Sequence, residues 1–342
     1  MTHTRRIAFI RPRTALLAAG FALLGLSLGV VPPAGAASGG SIALVAYSTP
    51  KPAYAALITA FNATAAGQGV TFSQSFGPSG TQATSVTEGL PADVVNFSLD
   101  PDMAKVVAAG LVAPTWDDGP TKGIVTDSIV SFIVRPGNPL HIKTWADLVK
   151  PGVQVITPNP FSSGSAKWNL MAAYGAQLAL HKTPAQALAF LAALLKNTVA
   201  QPASASTALQ TFLSGQGDVV LDYESDAIYA QDQNEPISIV TPPQTILIQN
   251  PIAVTTKAAD PTAANAFVKY LLSAKGQTVW AEQGYRPVLP KIAARFDFPT
   301  PKKLFTIASL GGWTSVDTTF FTPVTGKVAA IEASLGQPDT SS

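Results

Sequence analysis

Short apolar runs of strand length alternate along this chain with longer stretches of helical spacing. Residues 42–47 form a continuous apolar run, which fits a buried strand. Pro52 then opens an expected helix to about residue 64, since proline is tolerated in a first helical turn. Residues 70–75 alternate as a strand, and a helix is expected from Ser79 to Gly89. A strand over 93–97 and a helix over 101–109 follow, the helix stopped by Gly110. The cycle continues with strands at 128–134 and 153–157 and helices at 144–149 and 165–180. A helix running to Phe212, a strand at 218–222, a helix at 225–231 and a strand at 237–241 extend it. Alternation on this scale predicts parallel sheets covered by helices on both faces. That much α/β structure predicts two sheets side by side, with a cleft between them as the default ligand site.

The two ends differ from this pattern. Arg5, Arg6, Arg11 and Arg13 precede a nearly all-apolar run from Ala15 to Val31, and Ala34-Gly35-Ala36 closes it with small residues. This is the layout of a cleavable export signal over residues 1–36. An uncleaved membrane anchor is the rival reading, but the run lies at the short limit for spanning a bilayer and ends in Pro32-Pro33. The last residues, 337–342, read as a disordered tail.

Composition then narrows the function classes. There is no cysteine, so neither a disulfide nor a lipid-modified cysteine can form, and the core alone must hold the exported chain. The 342 residues carry 22 Lys and Arg against 20 Asp and Glu, and all four signal arginines fall in residues 1–36, which hold no acid. The remaining chain therefore carries a net charge of −2. It offers no clustered basic surface for nucleic acid. Beyond the signal no segment is long and apolar enough to cross a bilayer.

Several strand-to-helix turns are rich in small hydroxyl residues. Phe76-Gly77-Pro78-Ser79-Gly80-Thr81-Gln82 lies between a strand and a helix, with Ser79 at the helix start. Helix starts offer unpaired N–H groups and the positive end of the dipole, so they bind anions; equally, such a turn can simply cap its helix. The stretch from Thr157 to Trp168 repeats the arrangement, with Ser163, Gly164 and Ser165 small enough for close backbone approach. Ala203-Ser204-Ala205-Ser206-Thr207 opens another helix. Tyr223 lies just past a strand, where ligand groups gather in open α/β sheets, although a packed aromatic would sit there as readily. Asp222, Glu224 and Asp226 could form an acid pair, but solvating and capping a helix start is the preferred reading. His141 and His181 show no metal-ligand spacing. Ser48-Thr49-Pro50-Lys51 matches the S-x-x-K nucleophile motif of penicillin-recognising enzymes. The companion S-D-N and K-T-G motifs are absent, and Pro50 and Pro52 obstruct the helical turn that such a motif needs.

These segments, taken in order, resemble the sulfate-binding proteins of ABC importers. Gly77-Pro78-Ser79-Gly80-Thr81-Gln82-Ala83 resembles the family's G-G/A-S-G-x-Q-A/S, and Pro91-Ala92-Asp93-Val94-Val95 the A-D-V strand after it. Val134-Arg135-Pro136-Gly137-Asn138-Pro139 resembles V-R-K-G-N-P. The most specific stretch runs from Val155 to Asn169 and resembles V-I-T-P-N-P-K-S-S-G-G/S-A-R/K-W-N. Gly217-Asp218-Val219, Tyr285-Arg286-Pro287 and Gly311-Gly312-Trp313 complete a likeness covering about residues 41–315.

The resemblance implies a two-lobed type II periplasmic binding protein, each lobe a mostly parallel sheet flanked by helices. Lobe 1 is expected to hold 41–130 plus 241–336 and lobe 2 131–240, with crossings near 128–134 and 237–254. It implies ligand contacts from the Ser79 backbone, the Ser163 hydroxyl and the Gly164 and Ser165 backbone. Ala205 would add another backbone donor, although the family's arginine beside it is missing here. Tyr223 stands where Gram-negative members carry a tryptophan, and Ser48 lies in a segment that replaces Y-D-P-T. The implied ligand is sulfate, with thiosulfate, molybdate and phosphate as neighbours in chemistry; hydroxyl and backbone donors without a certain carboxylate favour the unprotonated dianion. The implied partner is the membrane permease of an ABC importer. No turnover, no cofactor and no metal are expected, and a monomer outside the cytoplasmic membrane is. A penicillin-recognising enzyme using Ser48 and Lys51 is the reading from another class.

Overall fold

The computed structural model describes residues 39–336. The signal expected over 1–36 and the tail expected over 337–342 lie outside them. The chain opens with β1 (Ser41–Tyr47), α1 (Lys51–Asn62), β2 (Thr71–Gly77), α2 (Ser79–Thr87), β3 (Val94–Asn96) and α3 (Asp100–Ala108). β4 (Ile124–Val134), α4 (Trp145–Leu148), β5 (Val155–Ile156), α5 (Gly164–Ala179), α6 (Pro184–Lys196) and β6 (Thr198–Ala200) follow. Then come α7 (Ala205–Leu213), β7 (Val219–Tyr223), α8 (Glu224–Asp232), β8 (Ser238–Val240) and β9 (Gln244–Val254). The chain closes with α9 (Pro261–Leu271), α10 (Ala274–Glu282), β10 (Arg286–Pro287), α11 (Pro290–Ala293), β11 (Lys303–Phe305), α12 (Gly312–Val316) and α13 (Lys327–Ser334).

The expected βα alternation is present, with local reasons for each boundary. Pro52 lies in the first turn of α1. Thr183 caps α6 with a capping box to Gln186, satisfying two otherwise unpaired donors. Asp260 and Ser273 cap α9 and α10 through Ala263 N and Gly276 N.

The sheet departs from two separate parallel sheets. Its strands follow the continuous order β2-β1-β3-β9-β4-β7-β5-β6. β1 pairs in parallel with β2 and β3 at one end, and β5 pairs in parallel with β6 and β7 at the other. The two long strands β4 and β9 join these halves, each antiparallel to the other and to its outer neighbour. Eleven residues give each strand the reach to serve both halves, pairing at one end with one neighbour and at the other with the next.

The core is correspondingly divided. Ile42, Tyr54, Phe61, Phe267 and Trp280 fill one cluster around β1 and α1. Another centres on Trp145, Trp168, Leu191, Leu221 and Ile246. Phe305, Trp313, Phe320, Phe321 and Val328 join this second cluster, so the C-terminal stretch packs on the half built from β5–β7. Trp313 stacks edge-on to Trp168 with ring centroids 4.6 Å apart, an arrangement favoured by the ring quadrupoles. Among the described residues no helix is long and apolar enough to cross a membrane.

Candidate functional site

Four helices begin where the two halves of the sheet meet. α2 starts at Ser79 straight after β2, and its Gly80 N–H donates to the Ser162 carbonyl at 3.1 Å. α5 starts at Gly164 with Ser163 as its N-cap, and the Ser163 side chain makes no capping bond. α7 starts at Ala205, capped by the Ser204 hydroxyl, which accepts from Thr207 N at 3.2 Å. The Ser162 hydroxyl donates to the Ala203 carbonyl at 2.9 Å and so ties the α5 and α7 starts together. α8 begins after Tyr223, at the end of β7. The first turn of each helix has N–H groups without intrahelical partners, so the region offers several oriented donors.

Ser98, which the sequence reading missed, links these pieces. It follows β3 and lies where ligand groups gather at strand ends, the one signal that could have found it. Its N–H donates to Ser79 Oγ at 2.9 Å, and its Oγ lies 2.7 Å from the Tyr223 hydroxyl. Its carbonyl accepts from Trp168 Nε1 at 2.8 Å and from Asn250 Nδ2 at 3.0 Å. A Cβ on Gly164 would fall 2.6 Å from Ser98 Oγ and 2.1 Å from Leu99 Cδ2, so glycine is required for this approach.

The expected residues are thus placed as follows. Ser79, Gly164 and Tyr223 meet at Ser98, and Ser163, Ser165 and Ala205 occupy the starts of α5 and α7 beside them. The Ser79 hydroxyl donates to Asp102 at 2.5 Å and so is engaged within the protein. The Ser165 hydroxyl is buried and has no hydrogen-bond partner, which buried hydroxyls rarely tolerate. Ser48 is half-buried between Tyr47, whose ring lies 6.3 Å from that of Tyr223, and Thr49, 3.4 Å from the Tyr285 hydroxyl. Lys51 is exposed at the first position of α1 and Ser48 lies before that helix, so the pair does not share the helical turn of an S-x-x-K site. Among the described residues no acid–histidine cluster could hold a metal.

The acids around Tyr223 differ from the solvated caps expected of them. Asp222, Glu224 and Asp226 are all buried. Glu224 is held by Arg286, whose Nε and Nη2 donate to its two oxygens at 2.6 and 3.0 Å. Asp222 accepts from Tyr223 N at 2.8 Å and lies near Asp226, a second buried carboxyl, and like charges so close in a buried site favour one proton between them. Burial raises both carboxyls, and the charge of Asp222 raises Asp226 further. The pair lies among Tyr47, Tyr223 and Tyr285, whose hydroxyls burial keeps protonated. Asp127 is likewise pushed up to about 7 by burial, against the pull of Arg286.

Groups raised in the folded state bind more protons there than in the unfolded chain, so they stabilise below the ordinary aspartate range and lose that stability as pH rises. Unfolding free energy is therefore expected to fall between about pH 4 and 7, by about 1.4 kcal/mol per pH unit for each proton held. Denaturant titrations at pH 5 and 7.5 check this. Asp226→Asn should flatten the slope, and an unchanged slope would show that the shared proton is absent.

The chain resembles known proteins along most of its length. A family model described as bacterial extracellular solute-binding protein matches residues 42–286. A sulfate-binding protein of Synechococcus elongatus is 39% identical over 300 residues, covering 83% of this chain and 86% of that protein. The sulfate-binding protein of Escherichia coli is 39% identical over 268 residues, covering 75% of this chain and 81% of that protein. The solved sulfate-binding protein SubI of Mycobacterium tuberculosis superposes with a TM-score of 0.81 at 46% identity, covering 83% of this chain and all of that one. The fold is the type II two-lobed α/β fold of periplasmic binding proteins. The chain belongs to the bacterial extracellular solute-binding protein family.

Proposed function

We propose that this protein is the exported receptor of an ABC importer and captures sulfate between its lobes. The start of α5 carries the reading: Ser163 leaves its side chain uncommitted as a cap, Gly164 lets this helix start close on Ser98, and the buried Ser165 hydroxyl has no protein partner. Ser79, Ala205 and Tyr223 add donors from α2, α7 and the end of β7, and Ser48 adds another beside Tyr47. All are neutral. Fixed dipoles of this kind suit an anion without a proton, which needs donors and offers only acceptors. The sulfate-binding names of the relatives in Synechococcus elongatus and Escherichia coli support the same ligand. A thiosulfate-binding protein of Pseudomonas aeruginosa, 35% identical over 266 residues, makes thiosulfate the competing ligand.

Lobe 1 takes residues 41–130 and 241 to about 300, and lobe 2 takes 131–240. Residues 303–334 go with lobe 2 because their aromatics fill its core. Hinge bending of β4 and β9 would close the lobes over the anion, and the closed monomer would be what the permease recognises. Residues 1–36 direct export. The protein carries out no turnover and needs no cofactor.

Calorimetric titration of the chain from Ala37 with sulfate, thiosulfate, molybdate and phosphate tests the ligand. One sulfate per chain is expected. Ser163→Ala should weaken it by about 1.5–3 kcal/mol, the worth of a hydrogen bond to a charged group. Heat with another oxyanion and none with sulfate would overturn the choice of ligand.

A further inference from the structure

We infer that Ser98 is a positioning residue of the binding site, which orients the Tyr223 hydroxyl so that the pair presents one hydrogen-bond donor to the anion. The inference rests on the oxyanion reading above and concerns a residue outside the expected contact set. Ser98 is 1% exposed, and every polar atom it has is in use. Its partners are Ser79 at the start of α2, Trp168 in α5, Asn250 in β9 and Tyr223 at the end of β7. One residue therefore couples both halves of the sheet where the helix starts meet, through its backbone to Ser79, Trp168 and Asn250 and through its hydroxyl to Tyr223.

Hydrogen counting gives the role. Ser98 and Tyr223 bring two O–H hydrogens to one contact of 2.7 Å, and only one hydrogen can lie between the oxygens. The Ser98 carbonyl already accepts from Trp168 and Asn250, and the Asn250 side chain, which lies beside the phenol, accepts from Thr126 at its Oδ1. Ser79 Oγ makes its bonds elsewhere, accepting from Ser98 N and donating to Asp102. One hydrogen of the pair is thus left for a ligand. Burial holds the Tyr223 phenol protonated, so it stays a donor at physiological pH. Gly164 sets the aim, because its missing Cβ lets the start of α5 reach Ser98 Oγ. A phenol hydrogen rotates about its C–O bond, so a second hydroxyl beside it fixes its direction.

The test is a double-mutant cycle on the purified protein, with sulfate affinity read by calorimetry and folding by thermal melts. Ser98→Ala and Tyr223→Phe should each weaken sulfate binding about tenfold or more. The double variant should lose little beyond the weaker single one, because the two hydroxyls act as one donor. Ser98→Cys, which keeps the shape with a weak donor, should fall between wild type and alanine, and it serves if the alanine variant does not fold. A Ser98→Ala affinity within about twofold of wild type, or losses that add in the double variant, would overturn the inference and leave the sulfate reading intact. If wild type prefers another oxyanion, the ligand reading fails and the same cycle on that oxyanion decides the role of Ser98. Wild-type protein that binds none of the four oxyanions overturns both.

Discussion

Gly164→Ala is expected to abolish ligand capture, with a loss of at least a hundredfold (about 2.7 kcal/mol) in affinity for the anion. The added Cβ would lie 2.1 Å from Leu99 Cδ2, 2.6 Å from Ser98 Oγ and 2.8 Å from Ser98 Cβ. None of these is the tip of a long flexible chain. Leu99 and Ser98 are buried, and Ser98 is fixed by bonds to Ser79, Trp168, Asn250 and Tyr223. Relief must therefore come from backing the start of α5 away from the loop after β3. That displaces Ser163, Ser165 and the free N–H groups of the first turn together. Overpacking of this kind also costs about 1–3 kcal/mol of stability, so the melting temperature should fall. Titration calorimetry and a thermal melt measure the two effects. Gly119→Ala, where an added Cβ meets nothing within 4 Å, is the neutral comparison. Affinity retained in Gly164→Ala would show that the close approach is not used for binding.

Arg286→Met is expected to destabilise the fold by about 3–5 kcal/mol, the usual result of removing one partner from a buried ion pair. Glu224 is 1% exposed and receives two donors from Arg286 at 2.6 and 3.0 Å. Burial already raises Glu224, and Arg286 works against that rise. Without the guanidinium the carboxyl would take up a proton at higher pH, so the loss should be greatest at neutral pH and shrink on acidification. The pair joins β10 to the start of α8 and also bonds the Pro299 carbonyl at 2.7 Å, so it fastens the segment 286–299 to the helix that begins straight after Tyr223. Glu224→Gln with Arg286→Met should recover part of the loss, because no charge is left unpaired. Urea unfolding of the single and double variants at pH 5 and 7.5 gives the comparison. Equal stability of Arg286→Met and wild type at neutral pH would mean that Glu224 is already neutral in the folded protein.

Much of this was legible from residue order. The apolar runs and their turn residues place β1, α2, α5 and β7 within a few residues of where they lie, because these elements are specified by local pattern: strands by continuous burial, helices by Pro or hydroxyl residues at their starts. The ordered motifs from Gly77 to Trp313 carry the family, and the Ser-Ser-Gly-Ser run marks the start of α5 without reference to anything distant in the chain.

Tertiary structure alone decided the rest. Mostly parallel sheets with crossings near 128–134 and 237–254 were expected; that the crossing strands β4 and β9 run antiparallel to each other and to their outer neighbours follows from which half each end must serve, and no local residue states it. The C-terminal helices pack on the second half since Trp313 and Phe320 find Trp168 and Tyr174 there, contacts more than a hundred residues apart in the chain. Asp222 and Asp226 read as surface caps in sequence, since charge normally seeks water; only the fold shows them buried, where burial raises both carboxyls. Ser98 is a plain serine after a strand in the sequence. Its four hydrogen-bonded partners come from segments up to 152 positions away, and no local pattern can record such a meeting. The sequence by itself thus determined the elements, the family and the helix starts that could hold an anion. Which side chains face each other across the cleft was settled only by long-range packing, because burial and hydrogen-bond partnership are properties of neighbours in space.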